Sequence, residues 1–261
     1  MGINQIYKLC SILFAAIVML GGNVFSKDNQ LLIVAGSENA YKPFAYLDSK
    51  NNPLGFDNEV LQVVVSYIPE SKLQIVSVPW NVIFTGLDSG KFDVVANQIT
   101  KNDEREKKYI FSNKPYFYGV SGLIIGNNSN ITHIKDLKNV KVGVTVGSNH
   151  AINIEKYVKE NPKQNISIIY YKTSPAIIAD LANGRIQAMI NDPASAVDYA
   201  KSQGVYIKVT DFVFEKIPIY FIFRKDSIEL SKTIDQALER AIQDGKISEI
   251  SIKYFGVDQT K

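Results

Sequence analysis

The chain has 261 residues, of which 29 are Lys or Arg and 26 are Asp or Glu, for a net charge of +3. The basic residues are scattered among acidic ones, which argues against a nucleic-acid partner. One cysteine and two histidines are too few soft ligands for a zinc site. We therefore expect neither a metal nor a cofactor.

Residues 1–26 are predicted to be a cleaved signal peptide. Lys8 supplies the basic start, and Leu9–Leu20 forms an apolar run that is too short to span a bilayer. We place the cut after Ser26, with an uncleaved membrane anchor as the alternative. Cys10 precedes the apolar run, whereas a lipid-anchoring cysteine would follow it, so no lipid anchor is expected. The mature chain then lacks cysteine and has neither disulfides nor a thiol nucleophile.

The first predicted strand, Leu31–Ala35, leads into a loop that carries Tyr41 and Phe44. Loops that follow the carboxyl ends of parallel strands are where α/β proteins bind ligands. Each of the two aromatic residues is therefore either part of a pocket or a lid on the core.

A helix capped by Asp57 and ended by Pro69 is predicted next, followed by a strand at Leu73–Val78. Trp80 stands at the end of that strand, and the same strand-end rule makes it a candidate pocket wall, with a place in the core as the alternative. A short helix at Val82–Ser89 precedes the next strand. The β-α-β-α-β order predicts a parallel sheet that is covered on both faces.

The segment that begins at Asp93 changes from buried and apolar to polar at Asn97, Gln98 and Thr100, and then reaches Arg105. A hydroxyl, free N–H groups at a helix start and a guanidinium together suit a carboxylate ligand. The alternative is that Arg105 is a surface arginine paired with a glutamate.

Segments 87–98 and 181–192 follow the same pattern at an offset of 94 positions. In each, a helix ends at glycine, a cation follows, and an apolar strand leads to Asn and one more polar residue. This repeat predicts two lobes of like construction. Arg105 on one lobe and Asp192 on the other would then hold a zwitterion between them.

The second lobe is predicted to lie between two hinge strands at 119–124 and 217–223. It contains a strand at Lys141–Val146 and then a turn at a helix start, where free N–H groups suit an anion. His150 in this turn is either a ligand contact or a polar helix-start residue. Ser174 is predicted to cap the next helix, and an amphipathic helix is predicted at Ser231–Asp244.

Over nearly its whole mature length the chain resembles the periplasmic solute-binding proteins of the polar amino acid ABC-transporter family (family 3). The resemblance lies in the following motifs: Tyr41-Lys42-Pro43-Phe44, Gly55-Phe56-Asp57, Gly90-Lys91-Phe92-Asp93, Glu104-Arg105, Phe111-Ser112, Pro115-Tyr116, Gly143-Val144, Gly147 and Asp192.

The resemblance implies a two-lobed α/β periplasmic-binding-protein fold (type II), in which each lobe is a mainly parallel sheet flanked by helices and two hinge strands join the lobes. It places the first lobe at 27–118 and 219–261 and the second at 119–218. It also implies a monomeric periplasmic protein, not an enzyme, that binds an amino acid and delivers it to the membrane permease of an ABC importer.

Ligand contacts follow from the same resemblance. Arg105 would bind the ligand carboxylate, and Asp192 would bind the ligand ammonium group. Thr100 would supply a hydroxyl contact. The remaining implied contacts are Glu38, Tyr41, Trp80, Asn97, Gln98, Ser148 and Asn149.

Within the family, Ala96-Asn97-Gln98-Ile99-Thr100 and the tail YFGVDQTK are similar to the cystine-binding branch. L-Cystine is therefore the expected ligand, with glutamine, histidine or arginine as alternatives. A cyclohexadienyl dehydratase-like enzyme on the same fold is the alternative activity. Glu38 and His150 are the acid–base candidates for it.

Overall fold

The computed structural model describes residues 30–261, in which strands and helices alternate along the chain. The strands are β1 (Leu31–Glu38), β2 (Ala40–Tyr41), β3 (Ala45–Leu47), β4 (Pro53–Leu54), β5 (Ser71–Val78), β6 (Val94–Ile99), β7 (Tyr109–Phe111), β8 (Phe117–Gly126), β9 (Lys141–Thr145), β10 (Ser167–Tyr171), β11 (Ala188–Asn191) and β12 (Ile207–Arg224). The α-helices are α1 (Phe56–Ser66), α2 (Ile83–Asp88), α3 (Asp103–Lys108), α4 (Asn149–Glu160), α5 (Ser174–Ala182), α6 (Pro193–Ser202), α7 (Ile228–Gln243) and α8 (Lys246–Phe255). Short 3-10 helices lie at Trp80–Val82, Ile134–Asp136 and Pro162–Gln164.

Two parallel groups of strands are joined by two long antiparallel strands. The order in the main sheet is β10-β9-β11-β8-β12-β6-β1-β5, and β7 also pairs with β12. β1 pairs with β6 in parallel, as β9 does with β10 and β11. β12 is antiparallel to β8 on one side and to β6 on the other. This is the predicted α/β fold of two lobes, and β8 and β12 run between them.

Alternate residues of the strands fill separate hydrophobic clusters, which shows that helices cover both faces of the sheet. In β6, Val94 and Ala96 belong to one cluster, whereas Val95 and Ile99 belong to another. β8 divides its side chains between two further clusters in the same way. Each lobe therefore has a core on either side of its strands.

The repeat seen in the sequence is also present in the backbone. Gly90 and Gly184 both have left-handed φ angles, of 73° and 70°. In both segments the glycine N–H donates to the carbonyl three residues earlier, at 3.1 Å. Asp93 and Gln187 then stand at matching positions, and the side chain of each accepts a backbone N–H from the neighbouring parallel strand, at 2.8 and 3.0 Å. The two lobes thus use the same helix-to-strand turn.

Two predicted helix caps are wrong. Gly55 is the residue at the N-cap of α1, and no side chain caps that helix. Asp57 lies inside the first turn, where its buried carboxylate is turned toward Gln98 instead. Thr173 occupies the N-cap of α5, also without a side-chain bond, and the Ser174 hydroxyl accepts from Asn191.

The predicted signal peptide and Cys10 lie outside the described residues. Within residues 30–261, none of the helices has the length and apolar character needed to cross a membrane. In the same range, no group of three or more His, Cys, Asp or Glu side chains is placed to hold a metal ion.

Candidate functional site

A pocket lies between residues of the two halves of the sheet. We call it the inner pocket. It is lined by Glu38, Tyr41, Trp80, Asn97, Gln98, Thr145, Ser148, Asn149, His150, Ser174 and Asn191. Seven of the ten predicted contact residues are in this set; the other three are Thr100, Arg105 and Asp192.

Strand ends supply three of the polar groups of the inner pocket. Glu38 ends β1, Thr145 ends β9 and Asn191 ends β11. The sheet edge therefore places these side chains together, as expected where parallel strands end. Thr145, Ser174 and Asn191 were not among the predicted contacts, although the strand-end rule would have found Thr145, and Asn191 is the repeat counterpart of Asn97.

Glu38 is a carboxylate with little access to water, being 6 % exposed. Asn97 holds it in place: the Glu38 backbone N–H donates to Asn97 Oδ1 at 2.7 Å, and Asn97 Nδ2 donates to Glu38 Oε2 at 3.3 Å. Burial raises the pKa of Glu38 to about 7. The pocket therefore contains an acid that a cationic ligand group would readily ionise.

A buried chain of hydrogen bonds crosses the pocket from Tyr41. Its hydroxyl donates to Asn191 Oδ1 at 3.4 Å and lies 3.3 Å from His150 Nε2, while His150 Nδ1 lies 2.9 Å from the Ser121 hydroxyl. These contacts are satisfied together when His150 carries its proton on Nε2. Burial lowers the pKa of His150 to about 4, so the ring is neutral at pH 7.

Two hydrogen bonds connect the first lobe directly to the β9–α4 turn. Trp80 Nε1 donates to the Val146 carbonyl at 2.9 Å, and Arg105 Nη2 donates to the Gly147 carbonyl at 3.1 Å. They close the cleft over the inner pocket.

Arg105 is buried, at 7 % exposure. Its Nη1 donates to the Thr100 carbonyl at 3.0 Å and to the Thr100 hydroxyl at 3.2 Å, and its guanidinium carbon lies 5.1 Å from the centre of the Phe84 ring. Burial lowers the pKa of Arg105 to about 10, which leaves it charged at pH 7. Arg105 lines a second, outer groove rather than the inner pocket, and it shares that groove with Trp80 and Gly147.

Asp192 is the N-cap of α6 and accepts the backbone N–H groups of Ala194 and Ser195, at 2.8 and 3.4 Å. It lines a small cavity together with Tyr41, Gln98 and Asn149. Burial raises the pKa of Asp192 to about 6. The structure therefore places Arg105 and Asp192 in two different cavities, and Trp80, Tyr41, Gln98 and Asn149 connect these cavities to the inner pocket.

Comparison with known proteins gives consistent matches over almost the whole described chain. Residues 33–257 match the family of bacterial extracellular solute-binding proteins, family 3. The probable amino-acid-binding protein YxeM of Bacillus subtilis is 33% identical, over 92% of this chain and 89% of that protein. The L-cystine-binding protein TcyJ of Escherichia coli is 32% identical, over 88% of this chain and 84% of that protein. The solved structure of a putative L-cystine ABC transporter protein from Listeria monocytogenes superposes with a TM-score of 0.78 at 29% identity, covering 88% of this chain and 98% of that one.

Proposed function

Because the chain belongs to the bacterial extracellular solute-binding proteins, family 3, we propose that it is the substrate-binding component of an amino acid ABC importer. It captures an L-amino acid between its lobes outside the cytoplasmic membrane and delivers it, as a monomer, to a membrane permease. The observation that carries this proposal is the inner pocket, which polar and aromatic side chains from both lobes line together.

The ligand carboxylate binds between Arg105 and the β9–α4 turn. There the Gly147 carbonyl now accepts an Arg105 N–H, and a carboxylate is the stronger acceptor because the bond is then charge-assisted on both sides. Ser148 Oγ already accepts the Ala151 N–H at 3.2 Å. The N–H groups of Asn149 and His150, at the start of α4, have no carbonyl of their own helix to bond and are available to the same carboxylate. The ligand ammonium group pairs with Asp192, whose pKa is raised by burial and falls when a cation approaches.

L-Cystine is the ligand that the pocket and the relatives favour together. Cystine carries two amino acid head groups, and Glu38 with its partner Asn97 offers a second acidic position for the second ammonium group. Tyr41 and Trp80 can contact the disulfide through sulfur–aromatic packing, worth about 0.3–1.5 kcal/mol. Residues 30–261 contain no cysteine, so no thiolate there can exchange with the ligand disulfide.

Glutamine, histidine or arginine is the alternative ligand, and the buried acid Glu38 is the observation that favours a basic side chain. A dehydratase activity would need a free acid or base over the substrate. Both ring nitrogens of His150 are already within bonding distance of Tyr41 and Ser121, which favours binding over catalysis.

The test begins with protein purified without denaturation, whose bound ligand is identified by mass spectrometry. The ligand-free protein is then heated with L-cystine, L-glutamine, L-histidine, L-arginine or prephenate. L-Cystine is expected to raise the unfolding temperature most, because a ligand stabilises only the folded state that binds it.

Competition decides between the ligands. Displacement of cystine by arginine or histidine at equal concentration overturns the choice of cystine and leaves an amino-acid-binding protein. A shift with prephenate and none with the four amino acids overturns the proposed amino acid binding.

A further inference from the structure

Strand β6 carries a bulge where it reaches the inner pocket. Val95 faces Ile222 of β12 and Ile99 faces Tyr220, so β6 advances four residues while its partner advances two. Gln98 lies in this bulge with a φ angle of 51°. That left-handed conformation is unfavourable for a residue with a Cβ atom and is normally taken by glycine. Something other than intrinsic preference must hold Gln98 there.

Asp57 supplies the restraint. Its carboxylate is fully buried, at 0 % exposure, in the first turn of α1. Oδ2 accepts the backbone N–H of Gln98 at 2.9 Å, and Oδ1 accepts Gln98 Nε2 at 2.7 Å. Both oxygens thus bind the same residue, once through its backbone and once through its side chain. The two bonds fix the peptide and the side chain of Gln98 relative to each other.

The restrained residue lies at the ligand site. Gln98 lines both the inner pocket and the small cavity that contains Asp192. Its neighbour Asn97 holds Glu38 through two hydrogen bonds. A change in the backbone at Gln98 would therefore move three pocket groups together, although Asp57 itself does not line the pocket.

We propose that Asp57 is a positioning residue of the ligand site: its carboxylate holds Gln98 in the left-handed conformation and thereby fixes the bulge that presents Asn97 and Gln98 to the ligand. The effect of Asp57 on ligand affinity rests on the proposed amino acid binding. The restraint on residue 98 is a property of the ligand-free protein and is tested separately.

The experiment is a double-mutant cycle with a conservative variant. Asp57→Ala removes both acceptors. Gln98→Gly removes the need for a restraint, because glycine takes positive φ readily. In Asp57→Asn, the new Oδ1 accepts the backbone N–H of residue 98, and its Nδ2 donates to a flipped Gln98 amide. This variant thus keeps the paired geometry without the charge.

The readouts are the dissociation constant for L-cystine by calorimetry and the unfolding temperature without ligand. Where cystine does not bind, L-glutamine, L-histidine and L-arginine replace it as probes. Asp57→Ala is expected to weaken binding about tenfold or more in the natural background and less than about threefold in the Gln98→Gly background, as contacting residues couple. Asp57→Asn is expected to stay within about threefold of the natural protein.

Gln187→Glu is the matched control. It changes an amide in the helix-to-strand turn of the second lobe, at the position that matches Asp93 in the first lobe, where Gln187 accepts from Lys141 and donates to Gly184, away from the pocket. The affinity of the Gln187→Glu variant for L-cystine is expected to equal that of the natural protein.

Three results overturn the positioning role. One is an equal loss of affinity from Asp57→Ala in both backgrounds, which indicates a general structural effect. The second is an Asp57→Asn variant as weak as Asp57→Ala, which indicates that charge alone matters. The third is a double variant that fails to fold. If none of the four amino acids affects the natural protein, the proposed function fails, and coupling in the ligand-free unfolding temperature still decides whether Asp57 restrains residue 98.

Discussion

Replacing Glu38 with glutamine should stabilise the ligand-free protein at alkaline pH. Burial raises the pKa of Glu38 from its ordinary 4.5 to about 7. The folded protein therefore holds this proton more tightly than the unfolded chain does. Stability is then lost as the pH rises through the window between these two values, because the folded state must either keep the proton or bury a charge.

The size of the effect follows from the two pKa values. Each pKa unit corresponds to about 1.4 kcal/mol, so ionised Glu38 costs the folded state at most about 3 kcal/mol at pH 8. Glutamine can still accept from Asn97 Nδ2, which now donates to Glu38 at 3.3 Å. For a chain of this size about 1 kcal/mol moves the unfolding temperature by roughly 2–4 °C. Glu38→Gln should therefore raise it by up to about 6–12 °C.

The assay is thermal unfolding of the ligand-free protein at pH 4.5 and pH 8, with Glu229→Gln as the control. Glu229 is an exposed carboxylate whose side chain is 87% accessible, and its replacement should change little at either pH. Glu38→Gln should match the natural protein closely at pH 4.5 and exceed it at pH 8. A gain that is the same at both pH values, or a loss at pH 8, would refute the reasoning. The same variant should bind a doubly cationic ligand more weakly, since it lacks the acid that pairs with the second ammonium group.

Three further predictions concern the closed cleft. Arg105→Lys keeps the charge but loses the planar guanidinium, and should weaken amino acid binding by about 2–5 kcal/mol, or roughly 30-fold to several thousand-fold. Calorimetry tests this, with the exposed Arg240→Lys as the control. Near-normal affinity of the Arg105→Lys variant would reject the role of Arg105. Ligand binding should reduce the radius of gyration in small-angle scattering, because contacts to both lobes favour the closed state. An unchanged radius of gyration, with binding confirmed independently, would reject a hinge motion of the two lobes. Trp80→Phe removes the hydrogen bond to Val146 that spans the cleft. Loss of one hydrogen bond, worth about 1 kcal/mol, should weaken ligand binding about fivefold. Unaltered affinity would show that this bond does not favour closure.

The sequence was most informative where a local pattern has only one good structural solution. The glycine-ended turns at 90 and 184 require left-handed backbone, and both take it. The apolar strands that follow are buried, and their polar ends meet at one sheet edge. These features depend on neighbours in the chain, so periodicity and turn chemistry predict them.

Features that depend on tertiary partners could not be predicted in the same way. Asp57 reads as a helix cap because it is an acid at a helix start, yet its partner is Gln98, 41 residues away. His150 meets Ser121 across 29 residues and Tyr41 across 109. None of these pairings leaves a periodic signal. The helix α8 at Lys246–Phe255 is different: Ile247, Ile250 and Tyr254 recur at helical spacing, so the sequence could have predicted it.

The long strand β12 also determines the order in which the molecule can fold during synthesis. One cluster of the first lobe joins Ile33 and Val94 with Phe221, Phe223 and Leu238. These two sets of residues are separated by more than a hundred positions that build the other lobe. A growing chain therefore finishes the middle of its sequence before the apolar surface of its beginning can be covered. The first-made strands of this lobe therefore stay incomplete until β12 and the last helices have been synthesised.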